Sequence, residues 1–190
     1  MQAGSIRVER VRQGAEMKIL QDYIGACLKM SRQDFCSRNP DAVFIQLATT
    51  SRMFQSSYGT RLSRGRKEVP LASSVIREGQ RLRVHALKQR RPGPAGTVRV
   101  GRSSENDLVV DDDTVSTRHA VLLRDVNSTV IMVRDLGSTN GTWINGERVV
   151  AGKATVLFDG DLVAFGDAVF LFFYPEGLFD VVRASFDVEG

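Results

Sequence analysis

The sequence predicts a mostly β protein, an antiparallel β-sandwich with a small N-terminal helical extension. Through the second half, short alternating apolar runs are separated by turn residues about every 8–12 positions, the pattern of a sandwich. Asn145-Gly146 sits between Trp143-Ile144 and Glu147-Arg148-Val149, a two-residue hairpin signal whose turn positions need positive φ. A helical stripe of apolar residues is confined to the first part of the chain.

In chain order, residues 15–30 place Met17, Leu20, Ile24, Cys27 and Leu28 on one helical face. An amphipathic helix of this kind is expected to dock on the sandwich rather than to dimerise. Ser31-Arg32-Gln33-Asp34 resembles a capping box that opens a second short helix, closed by Asn39-Pro40. Residues 42–47, with Val43, Phe44 and Ile45, read as a buried strand. Residues 49–79 weaken into Ser, Arg and Gly, punctuated by Gly59, Gly65 and Pro70, and read as a loop-rich connection with room for a strand near residues 69–76.

Residues 81–87 alternate, with Leu82, Val84 and Ala86 opposite Arg81, Arg83 and His85. Pro92-Gly93-Pro94-Ala95-Gly96 is a turn, and residues 97–102 alternate again with Val98 and Val100 inward. Further strands are expected at residues 107–110, 119–126, 129–136, 142–144, 147–150, 161–165 and 168–174, with Asp159-Gly160 marking a second turn. The division that follows is 1–60 as the N-terminal helical extension with a short strand, 61–79 as a basic connection, 80–176 as the sandwich and 177–190 as an acidic tail.

Composition bounds the function. At 190 residues, 42% hydrophobic and 25% charged, the chain can build a core. The longest apolar run, residues 168–174, is far shorter than the ~20 residues a bilayer helix needs, and the first residues carry no signal-peptide pattern. Cys27 and Cys36 lie outside zinc and redox spacings and read as packed thiols in a reducing cytoplasm. The expectation is a cytoplasmic protein with no membrane segment, no metal and no cofactor. The net charge of +4 is unevenly spread: residues 61–95 hold ten Lys or Arg against two acids, and residues 96–175 hold seven against eleven. The basic stretch reads as a solvated face, or one docked on the acidic half. No aromatic residue interleaves it after Tyr58, so nucleic acid is disfavoured.

Three polar clusters punctuate residues 101–146: Gly101-Arg102-Ser103-Ser104-Glu105-Asn106-Asp107, then Val115-Ser116-Thr117-Arg118-His119-Ala120, then Gly137-Ser138-Thr139-Asn140-Gly141-Thr142. In this order and spacing they resemble the forkhead-associated (FHA) domain, an FHA/SMAD-like sandwich that reads phosphothreonine peptides. The resemblance covers roughly residues 80–175. It implies that Arg102, Ser116, Thr139 and Asn140 contact a phosphopeptide, with Thr117 and Arg118 adding donors. It also implies that Gly101, His119, Gly137 and Gly141 support the loops. The residue types suit the chemistry: an arginine fork pairs two phosphate oxygens, hydroxyls donate, and a carboxamide grips peptide backbone through both its groups.

Other readings are weaker. Ser116 and His119 lack an orienting third group and a nucleophile-elbow motif, so no catalytic residue is assigned and no enzyme is expected. The stretch from Gly146 to Lys153 has five residues between its glycines where a phosphate-binding loop has four, and alanine where that loop has a hydroxyl. Trp143 reads as core or a cap over it. Asp111-Asp112-Asp113 departs from what a phosphate site alone would want; it suggests selection of basic ligand residues, or docking of the chain's own basic stretch.

The expected function is an adaptor that binds a phosphothreonine-containing protein or peptide downstream of a Ser/Thr kinase. The alternatives are an FHA-fold scaffold or oligomerisation module independent of phosphate, and a nucleic-acid binder. Self-association through Thr49, Thr50 or Thr60 is a further expectation.

Overall fold

A computed structural model describes residues 18–47, 69–124 and 129–186. Two helices come first, α1 (Leu20–Lys29) and α2 (Arg32–Arg38). The capping signal is realised at Ser31, whose Oγ accepts the Asp34 N–H at 3.1 Å and donates to the Asp34 carboxylate at 2.7 Å. Then follow β1 (Val43–Gln46), α3 (Val69–Glu78), β2 (Val84–Ala86), β3 (Thr97–Gly101), β4 (Leu108–Val109), β5 (Ala120–Arg124) and β6 (Ile131–Asp135). The chain continues through β7 (Thr142–Ile144), β8 (Glu147–Arg148), β9 (Ala154–Val156), β10 (Leu162–Phe165), β11 (Ala168–Phe173) and α4 (Pro175–Phe186).

The strands form two sheets, β2-β1-β11-β10-β7-β8 and β4-β3-β5-β6-β9. Pairing is antiparallel except between β3 and β4. The hairpin read at Asn145-Gly146 is present, with φ of 50° and 80° and Trp143 opposite Arg148. Facing side chains of the two sheets, including Phe44, Val100, Leu122, Val133, Phe165, Phe170 and Phe172, fill the sandwich core.

The larger sheet is buried on both faces. Along β11, Ala168, Phe170 and Phe172 enter the sandwich core, while Val169, Leu171 and Phe173 enter a second core beneath the helices. That is why this strand reads as an unbroken apolar run rather than an alternation. The second core takes Leu20, Ile24 and Cys27 from α1, Phe35 from α2, Ile76 from α3, and Leu178, Phe179 and Val182 from α4. The expected docking of α1 on the sandwich is therefore found, although Leu28 of the predicted stripe is 41% exposed and Met17 lies outside the described residues.

Three expectations need correction. Residues 69–78 are α3, not a loop-rich connection or strand; Leu71, Ala72, Val75 and Ile76 recur at helical spacing, and Pro70 stands in the first turn, where a missing N–H costs nothing. The acidic C-terminal segment is helical through Phe186, because Leu178, Phe179 and Val182 enter the helical core and Asp180 faces outward. And β1, drawn from the N-terminal segment, is an interior strand between β2 and β11. Thr49, Thr50 and Thr60 lie outside the described residues.

The described part of the basic stretch is tied down rather than loose. Arg90 and Arg91 each donate a backbone N–H to buried Asp107 at 2.7 Å, Lys88 pairs with Asp41 at 3.1 Å, and Arg77 donates to the Ser185 carbonyl at 2.8 Å. Among the described residues no helix is long and apolar enough to cross a membrane. His85, on edge strand β2, packs edge-on to Phe170 and bonds Gln46 Oε1 at 3.0 Å. Burial, helped by Arg83 and Arg90, pulls its imidazole down to about 4.

Two outcomes follow for stability. Phe35 is fully buried against Tyr23 and Phe179, so Phe35→Ala should cost about 3–5 kcal/mol in urea denaturation. Because the unfolded chain protonates His85 near its ordinary value and the folded chain does not, stability should fall as pH drops from about 6.5 towards 4. His85→Gln should flatten that slope by up to about 1.4 kcal/mol per pH unit, read from denaturation midpoints across the window.

Candidate functional site

Three loops emerge from one end of the sandwich: residues 102–107 after β3, 110–119 before β5, and 136–141 between β6 and β7. They are neighbours because the strands that launch them are in register, Val100 opposite Ala120 and Ala120 opposite Asp135 in one sheet, and Thr142 opposite Phe165 in the other.

The first two loops are laced through their backbones. Arg102 N donates to the Ser116 carbonyl at 3.0 Å, and Ser103 N to the Thr117 carbonyl at 3.2 Å. Gly101 permits this approach: a Cβ there would lie 2.5 Å from the Thr117 carbonyl oxygen and 3.0 Å from that of Ser116. Close packing, rather than a turn, is what this position requires. Buried Asn106 adds two bonds from Nδ2, to the Ser103 carbonyl at 2.9 Å and the Thr117 carbonyl at 2.7 Å.

His119 ties the second loop to the third. Its fully buried ring accepts the Ser116 N–H at Nδ1 (3.1 Å), and Nε2 lies 3.1 Å from the Gly141 carbonyl. A ring that accepts at Nδ1 must carry its proton on Nε2, so the imidazole is neutral and donates to Gly141. Burial pulls it below its ordinary value, against the upward influence of the Gly141 carbonyl and Asp135. It does not hold the Ser116 hydroxyl, so Ser116 and His119 do not form a nucleophile–base pair.

Asp135 organises the third loop. Oδ1 accepts the N–H groups of Gly137 and Ser138 at 2.8 and 3.0 Å, while Oδ2 accepts the hydroxyls of Ser138 and Thr142 at 2.6 and 2.7 Å. Burial pushes the carboxyl up, but these bonds outweigh it and hold it below the usual carboxylate range. Gly137 and Gly141 both adopt φ of 81°, the left-handed backbone that lets the loop turn at each end.

On this base the six site residues named from the sequence meet at one end of the molecule. Ser116 Oγ accepts the Thr139 N–H at 3.1 Å and lies 3.5 Å from Thr139 Oγ1, so its own proton remains available to an incoming acceptor. Arg102 is exposed, with Nε donating to the Val115 carbonyl at 3.3 Å; its Nη1 is 3.9 Å from the fully exposed carboxylate of Asp113. That separation, between two solvated groups, leaves the guanidinium unlocked. Thr117, Arg118, Thr139 and Asn140 are exposed around it. Asn140 Nδ2 donates to the Thr114 carbonyl at 2.8 Å, which leaves its side-chain oxygen and second N–H for a ligand backbone.

Several supporting residues escaped the sequence reading. Thr114 is a hub: its hydroxyl donates to Asp112 Oδ1 at 2.5 Å and accepts the Asp167 N–H at 2.8 Å, while its carbonyl receives Asn140. Asp112 is thereby turned onto Thr114, and of the acidic triplet only Asp111 and Asp113 stay exposed. Of the described part of the basic stretch, Arg90 and Arg91 bond Asp107 through their backbone and Lys88 pairs with Asp41; residues 61–68 lie outside the described residues. Trp143 belongs to neither core; its indole N–H donates to the Asn140 carbonyl at 3.2 Å beneath the Arg148 guanidinium. Asp135 was legible in principle, as an aspartate two residues before a turn glycine. Among the described residues no cluster could hold a metal ion.

A family model described as "FHA domain" matches residues 98–166. An oxoglutarate dehydrogenase inhibitor of Corynebacterium diphtheriae is 32% identical over 140 residues, 68% of this chain and 91% of that protein. An ABC transporter ATP-binding/permease protein of Mycobacterium tuberculosis is 39% identical over 101 residues, half of this chain but 11% of the transporter. A solved structure of Mycobacterium tuberculosis EmbR with a low-affinity phosphopeptide is 38% identical over 43% of this chain and 20% of that one, with a TM-score of 0.37. The chain thus spans nearly all of the inhibitor and a minor part of the other two.

Gly101→Ala should displace the Thr117 carbonyl and unlace the first two loops while leaving both cores intact. The expected readout is loss of amide protection confined to residues 101–106 and 115–119 by hydrogen exchange, with β10 and β11 unchanged.

Proposed function

We propose, from the premise that this chain belongs to the FHA-domain family, that it is a phosphothreonine-peptide-binding adaptor in Ser/Thr kinase signalling. The observation that carries the reading is the convergence of the Arg102 guanidinium, the Ser116 hydroxyl and the Thr139 loop on open surface, with Asn140 beside them. A phosphate dianion seated there would take the arginine fork on one side and the Ser116 proton on the other. Thr139 and Asn140 would hold the peptide main chain next to the modified residue. Arg118 and Thr117 supply further donors at the rim.

One feature favours a binding role over a catalytic one. The buried imidazole of His119 is engaged at both nitrogens by backbone groups, so it is not available as a base to the Ser116 hydroxyl. In this reading the protein works in the cytoplasm, recruits a partner after a kinase has modified it, and needs no cofactor. The phosphate-independent scaffold is the competing reading, and it separates cleanly by experiment.

One charge-assisted hydrogen bond is worth about 1.5–3 kcal/mol. Arg102→Ala should therefore weaken a phosphothreonine peptide by on the order of tenfold to a few hundredfold in calorimetry at physiological salt. The unmodified twin peptide should not bind. Equal affinity of the two peptides would leave the scaffold reading standing.

A further inference from the structure

The two outer faces of the sandwich are treated differently. Four helices cover the six-stranded sheet, whereas no residue of β3, β5, β6 or β9 enters the helical core. By register, the outer side of the five-stranded sheet carries Thr97 and Arg99, Val121 and Leu123, Met132 and Arg134, and Ala154 and Val156. No carboxylate stands among these eight residues. Val121 is nearly buried although it faces out, because it sits in one row between Arg99 and Arg134, whose stems cover it. Leu123, Met132 and Val156 form the adjacent row and belong to neither core.

That apolar row runs on into an aromatic anchor. Leu157 N donates to the Ile131 carbonyl, so the next outward pair is Val130 with Phe158. Phe158 is 64% exposed, the one aromatic among the large exposed apolar side chains of the described residues. Its backbone is held fast. Phe158 N donates to Asp161 Oδ2 at 2.8 Å, its carbonyl accepts Asp161 N at 3.1 Å, and Gly160 N donates to the Phe172 carbonyl at 2.8 Å. Asn145 Nδ2 fixes the same Asp161 carboxylate at 2.7 Å. An exposed aromatic on a clamped turn loses little freedom on binding, which is what a hot spot needs.

We infer that this face, anchored by Phe158 and flanked by Arg134, docks an acidic amphipathic segment of a partner protein. Charge chooses the occupant. Arg134 makes no ion pair among the described residues, and exposed Lys153 and Arg124 stand at the rim. The chain's two long undescribed segments are like-charged, and residues 125–128 and 187–190, which hold one and two acids, are too short to form an amphipathic helix. Residues 1–17 hold three arginines against two acids, and residues 48–68 hold five Lys or Arg against one acid. Neither complements a basic face. Val130 and Phe158 lie at the opposite end of β6 from Asp135 and the loop cluster, so both surfaces can be occupied together. The docking face stands whether or not the loops bind phosphate. Where they do, a phosphorylated partner with an acidic segment gains avidity from two contacts.

The test uses the full chain, isotope-labelled, titrated with a designed acidic amphipathic peptide bearing Leu and Phe at helical spacing and Glu between them. A twin with Lys for every Glu serves as control. Amide shifts should cluster at residues 121–123, 130–134 and 154–158. Phe158→Ser should weaken binding at least tenfold and Arg134→Glu should weaken it similarly, while Arg102→Ala leaves it unchanged. Three results would overturn the inference: no response at these residues, equal binding of the Lys twin, or a concentration-dependent mass in sedimentation that Phe158→Ser abolishes without peptide. The last would give the face to a second copy of the chain.

Discussion

The site depends on a buried pair of polar groups, the Asp135 carboxylate and the His119 imidazole, 3.9 Å apart beneath the loops. Neither would survive in an apolar interior unless its bonds were satisfied. Each is satisfied, and in doing so each fixes a different length of chain. Asp135 folds residues 137–142 around itself; His119 spans from the Ser116 amide to the Gly141 carbonyl. The loops are held by groups that a ligand never needs to touch, and the exposed side chains are left free for recognition.

This arrangement also explains which parts of the chain could be read in advance. The strands other than β9, the hairpin at Asn145-Gly146 and the loop clusters were legible because alternation and turn chemistry are local signals. So was the α2 cap at Ser31. The segment at residues 69–78 was misread because Pro70 and Gly79 look like punctuation, and only the packing of Ala72 and Ile76 against the sheet makes them the ends of a helix. The C-terminal helix was hidden behind its acids. Phe179 and Val182 reveal its inward face only when the sheet they cover is known.

At the site, the outward side chains and four supports, Gly101, His119, Gly137 and Gly141, were named from the resemblance, whereas the other supports were not. Asn106 and Thr114 act across gaps of 11 and 53 residues, to Thr117 and Asp167, and no local pattern announces such bonds; Asp112 and Trp143 bond within three residues of themselves. Gly101 is instructive. Its identity was recognised, but the reason is a neighbouring loop's carbonyl, a constraint visible only in three dimensions.

The double burial of the six-stranded sheet bears on how this protein can be handled. The stretch matched by the family model, residues 98–166, omits β1, β2, β11 and every helix of the described residues. Cut at those limits, the fragment would bare Leu162 to solvent on one side and strip Phe44, Phe170 and Phe172 from the middle on the other. Such a piece would precipitate rather than behave as a smaller domain, so the recognition module and its helical jacket have to be produced as one unit.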